Sequence, residues 1–88
     1  LHQNYPNPFN PTTSIPFDII KNDKVRLSIY NVKGEMVRTL VNSYLDPGSY
    51  EVRWNGRSDS GVNLSAGMYF IELKGTNFRE TNKMIYLK

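Results

Sequence analysis

Apolar and polar residues alternate with a period of two in several separate segments of this chain, and no stretch reads convincingly as a helix. Tyr50, Val52 and Trp54 alternate with Glu51 and Arg53. Val25, Leu27 and Ile29 alternate with Arg26, Ser28 and Tyr30, and Tyr69, Ile71 and Leu73 with Met68, Phe70 and Glu72. Successive side chains of a strand point to opposite faces, so each segment buries one face and wets the other. Turn residues separate the segments. Gly34, ending Asn31-Val32-Lys33-Gly34, supplies the positive φ of a short hairpin, and Pro47 with Gly48 has the form of a type II turn. Ile15, Phe17 and Ile19 open the series. A brief strand and a second turn follow over 61–67, and Gly75-Thr76-Asn77 closes a hairpin onto Arg79 to Leu87. About seven strands at this spacing predict an all-β, immunoglobulin-like antiparallel sandwich.

Local details refine that expectation. Val37, Leu40 and Val41 break strict alternation, and a bulge near Arg38 to Thr39 restores them to the core face, with a one-turn helix as the competing reading. Pro16 has no N–H for a ladder, so its strand is an edge or its nitrogen faces solvent. Trp54 is the expected core anchor, worth roughly 3 kcal/mol or more on burial. Its indole N–H is expected to find a backbone carbonyl in the 55–60 loop. Tyr30, Tyr44, Phe70 and Tyr86 fall on faces read as outward, where rings either pair across strands, stack sugars or dock a protein.

The opening Asn4-Tyr5-Pro6-Asn7-Pro8-Phe9-Asn10-Pro11 places three prolines within six positions. They fix φ and remove three donors, which excludes a helix or a central strand. Tyr5 and Phe9 among the prolines point to an ordered lead-in rather than a linker, folded over one edge of the sandwich and anchored by those two rings.

With 88 residues and no Cys, the chain is one small domain whose core has no disulfide or thiolate-metal staple. The 11 basic and 8 acidic residues leave a net charge of +3, spread along the sequence, which argues against a nucleic-acid footprint. No run is long enough to span a membrane. The chain starts at Leu1 without an initiator Met, and reads as a module from the end of a longer protein.

Catalytic groups are sparse. The only His, His2, lies at a terminus expected to fray, and no pair of carboxylates stands out for acid–base work. The loop Asn55-Gly56-Arg57-Ser58-Asp59-Ser60-Gly61 resembles a calcium loop superficially. It fails that template, with a cation at the third position and the glycine displaced by one, so Asp59 is expected to cap a turn through its own backbone. No catalytic, metal or cofactor site is expected.

Taken as ordered blocks, the residues resemble a known family. The opening Asn4-Tyr5-Pro6-Asn7-Pro8-Phe9-Asn10-Pro11-Thr12-Thr13, then Leu27 to Gly34, Tyr50 to Gly56 with Asp59 and Gly61, Ser65-Ala66-Gly67-Met68-Tyr69-Phe70, and Lys83-Met84-Ile85-Tyr86-Leu87-Lys88 are similar to the type A C-terminal sorting domain of the type IX secretion system. Asn55 stands where that family more often has Asp. The immunoglobulin-like domain of flagellar hook-capping proteins shares the Trp-Asn/Asp-Gly and Gly-x-Tyr-Phe blocks.

The resemblance implies a targeting module following an unknown cargo in a secreted or cell-surface protein of the Bacteroidetes type. Its implied partners are the outer-membrane translocon, a shuttle protein and a sortase-like peptidase. By position, the implied recognition segment is Lys83, Met84, Ile85, Tyr86, Leu87 and Lys88. An edge strand there would offer unpaired backbone for strand addition by a receptor. Removing Tyr86 to Lys88 is then expected to block export while leaving the sandwich largely folded. The rival expectation is an accessory module that spaces an enzyme or binds carbohydrate, with Trp54 and the tyrosines reporting the sugar.

Overall fold

The structure is a computed structural model describing residues 1–88. It holds six strands: β1 (Thr13–Ile19), β2 (Asp23–Tyr30), β3 (Met36–Leu45), β4 (Gly48–Trp54), β5 (Gly67–Lys74) and β6 (Arg79–Tyr86). A two-stranded sheet, β1-β4, packs on a four-stranded sheet of order β3-β2-β5-β6, and every pairing is antiparallel. The fold is an immunoglobulin-like β-sandwich.

The brief strand expected within 61–67, the seventh, does not form. Val62 and Asn63 are exposed, and the segment folds back on its own loop through Ser58 N–H to Val62 O at 2.9 Å and a bridge between Arg57 and Asn63. Only Leu64 reaches the core. Its N–H donates to Gly56 O at 2.9 Å.

The alternating residues meet as expected. Ile15, Phe17 and Ile19 from β1 face Val25, Leu27 and Ile29 from β2 and Tyr69, Ile71 and Leu73 from β5, with Trp54 between the sheets at 1% exposure. Trp54 Nε1 donates to Arg57 O at 2.9 Å, in the loop expected to supply its partner. In β3 the register against β2 slips twice, skipping Leu40 and then Val37, on either side of the bulge expected at Arg38–Thr39. Both skipped residues, with Val41, pack against the core. An extra residue on one strand re-aims the side chains that follow it, which is how a non-alternating sequence keeps three apolar groups inside.

Two turns differ in outcome. Gly34 has φ of 82°, the left-handed value the hairpin requires. Asp46-Pro47-Gly48 is no hairpin: there the chain leaves the four-stranded sheet after β3 and crosses to the two-stranded sheet, where Gly48 opens β4 opposite Ile19. Pro-Gly signals a change of direction, and the strand partners decide whether it reverses the chain.

Candidate functional site

The lead-in lies as a strap along the side of the sandwich where β1 and β6 would otherwise expose their edges. Toward β1, Tyr5 N–H donates to Ser14 O and Ser14 N–H to Tyr5 O, both at 2.9 Å, and His2 N–H donates to Pro16 O at 3.0 Å. The two peptide groups of one strand residue point the same way, so the imide nitrogen of Pro16 faces the strap and stays out of the β4 ladder. This satisfies the constraint read from Pro16.

Toward β6, Phe9 N–H donates to Ile85 O at 3.0 Å and Leu87 N–H to Phe9 O at 2.8 Å. Asn7 Oδ1 accepts the Ile85 N–H at 2.9 Å, and Gln3 Nε2 donates to Lys83 O at 3.2 Å. The outward backbone groups of β6 expected to be unpaired are therefore used by the strap from Lys83 O to Leu87 N. The prolines hid this. A segment lacking N–H groups reads as unable to pair, yet Phe9 lies between Pro8 and Pro11 and Asn7 pairs through its side chain.

The motif residues divide by role. Asn4 is 2% exposed, and its amide donates to Thr13 Oγ1 at 2.9 Å and Pro6 O at 3.3 Å, while Thr13 Oγ1 donates to Pro6 O at 2.9 Å. This closed network shapes the turn through Pro6. Phe9 is buried, stacked on Tyr86 and tilted against Trp54 at 5.6 Å between centroids. Tyr5 anchors through its hydroxyl: the ring is 53% exposed while the O–H donates to Glu51 of β4. That bond, with the carboxylate nearby, pushes the phenol pKa up. Pro6, Pro8, Asn10 and Pro11 are exposed.

Gly56 has φ of 76°, and a Cβ there would lie 2.5 Å from Tyr86 Cζ, so the loop rests directly on the tyrosine ring. Tyr69 meets Trp54 edge-on at 5.4 Å. Gly61 and Gly67 take positive φ with open space around them. Asp59 does not cap its own turn. Its N–H donates to Val37 O and its Oδ1 accepts the Thr39 N–H, both at 3.0 Å, so it covers the β3 edge as the strap covers β6.

From Lys83 to Leu87 the side chains sort by alternation. Met84 and Tyr86 are buried at 0% and 5%, whereas Lys83, Leu87 and Lys88 are exposed and Ile85 is half-buried. Tyr86, read from the sequence as outward, is a core residue. Removing Tyr86 to Lys88 would thus take out part of the aromatic cluster, contrary to the expectation of a fold left largely intact. Trp54 is equally buried, at 1% exposure.

The geometry defines an immunoglobulin-like sandwich with a strapped C-terminal strand. Residues 14–78 match the FlgD Ig-like domain family, and the chain belongs to that family. No curated protein matches the chain. Among solved structures it is similar to part of dimeric latent PorU from Porphyromonas gingivalis, with TM-score 0.70 and 22% identity over 97% of this chain. It is also similar to part of PorZ, an essential surface component of the type-IX secretion system of the same organism, with TM-score 0.68 and 17% identity over 98% of this chain. The chain spans 9% of the first and 11% of the second. At these identities the likeness is one of fold.

Proposed function

We propose that this domain is a non-catalytic sorting signal of the type IX secretion system, directing a preceding cargo across the outer membrane to the cell surface or medium. The observation that carries the reading is the placement of the 83–88 segment. It contributes the end of β6, the outer strand of the larger sheet, and is held to the motif-bearing lead-in by direct hydrogen bonds. The first and last of the five blocks by which the sequence resembles the type A sorting domains are thus joined along one edge. The likeness in fold to parts of PorU and PorZ supports it.

With the strap in place, a receptor reads side chains in preference to backbone: Lys83, Leu87 and Lys88 are exposed and Ile85 is half-buried, while Met84 and Tyr86 hold the strand. A signal on an already folded cargo must be readable while folded, and this surface exists only when both chain segments are in place.

Fusing a reporter ahead of Leu1 tests the proposal. Export by a host with the type IX translocon, and periplasmic retention in the same host without it, is the expected result. Export in both hosts would support the rival reading of an accessory spacer module.

A further inference from the structure

The cations that are scattered in the sequence converge in the fold. Lys74 of β5 stands opposite Arg26 of β2 on one side and Arg79 of β6 on the other, so three cations form one row across the outer face of the four-stranded sheet. Lys24 and Lys83 lie on the same face, against the single strand carboxylate Glu72. Neighbouring strands are about 5 Å apart, and like charges directly opposite destabilise a sheet. Arg79 is relieved by Glu72, at 3.2 Å. Lys24, Arg26 and Lys74 form no ion pair, and Arg26 Nε is screened from solvent with no hydrogen-bond partner.

These three unpaired cations line a shallow cleft of about 270 Å³ together with Asn42 and Thr76. No carboxylate lines it. The adjacent Asp23 is turned to Thr76, accepting its N–H at 2.9 Å and its Oγ1 at 2.6 Å. Opposite Lys24 stands Tyr44, 76% exposed, whose hydroxyl makes no hydrogen bond.

We infer that this cleft binds an acidic sugar unit of an anionic polysaccharide. The anionic group, a uronate carboxylate or a sugar phosphate, sits among Lys24, Arg26 and Lys74, with Asn42 donating beside it, and the Tyr44 ring takes an apolar sugar face. The volume suits one such unit, being below the range of pockets for larger ligands. A single exposed ring beside a compact cation group suits one sugar better than a nucleic-acid strand, which is held by successive rings along a basic groove. The inference is independent of the sorting role.

NMR titration of the 88-residue chain with polygalacturonate at about 0.15 M salt tests it, with neutral dextran and a single-stranded oligonucleotide as comparators. Saturable shifts confined to Lys24, Arg26, Asn42, Tyr44 and Lys74 with polygalacturonate alone are expected. Lys74→Glu should weaken binding at least about tenfold, and Tyr44→Ala severalfold, while Arg53→Glu on the other sheet, an equal change in net charge, leaves it unchanged. Lys74→Glu also breaks the like-charge row, so it is expected to fold at least as stably as the parent. The inference is overturned by absence of saturation, by equal weakening in Arg53→Glu, by dextran binding as well, or by tighter binding of the oligonucleotide.

Discussion

Phe9 and Tyr86, from opposite ends of the sequence, are stacked with ring centroids 4.9 Å apart and planes 13° from parallel. Their backbones also form a parallel bridge, so side chain and main chain fasten the strap at the same point. Both rings touch Trp54, which joins the strap to the centre of the core.

If Phe9 is a core residue and not a surface ornament, truncating it costs what a buried ring costs. Phe9→Ala is expected to lower stability by roughly 3 kcal/mol or more, and the melting temperature by at least about 10 °C. Phe9→Leu should cost distinctly less. Denaturant unfolding followed by Trp54 fluorescence checks both values, and a loss below about 1 kcal/mol for Phe9→Ala would show the strap packing loosely.

Asn7 acts on one amide. Ile85 N–H has Asn7 Oδ1 as its acceptor, whereas Met84 lies buried within the β5 pairing. Asn7→Ala is expected to speed hydrogen exchange at Ile85 selectively, leaving Met84 protected, at a cost of about 1 kcal/mol.

Gly56 and Gly61 differ in a way that substitution exposes. Both have positive φ, but a Cβ at Gly56 meets the Tyr86 ring at 2.5 Å and one at Gly61 meets nothing within 4 Å. Gly61→Ala should cost only the backbone penalty, about 1–2 kcal/mol, and Gly56→Ala a further 1–3 kcal/mol or so from overpacking. Equal losses in thermal unfolding would refute the close approach.

The Asp23 carboxyl pKa is lowered, chiefly by the Thr76 hydroxyl and then by the Thr76 N–H. A folded-state pKa below the unfolded one contributes stability above the unfolded value, near 4, and that contribution vanishes as pH falls through the folded value. Asp23→Asn should therefore flatten the acid limb of the stability profile below about pH 4 and leave the shape unchanged from pH 6 to about 8. An unchanged acid limb would contradict the contact.

The fold was legible because alternation survives in β1, β2, β4 and β5, where each strand buries one clean face. The site was less so. Tyr86 reads as outward and is inward, because alternation alone does not say which face of a strand is buried and an aromatic suits either side of a sheet. The strap depends on the side chain of Asn7 and on two peptide groups at Phe9 and Leu87, which no local pattern announces. The cation row needs the registers of β2, β5 and β6 together, and those are set by the whole core.

Under the proposed function, the exposed side chains of the strapped β6 end are read during export. This is tested most directly by secretion of a reporter fusion carrying Lys83→Glu, Leu87→Ser and Lys88→Glu, which spare buried Met84 and Tyr86. Periplasmic retention of a fusion whose domain keeps the parent's melting temperature is the predicted result, and export equal to the parent's would contradict it.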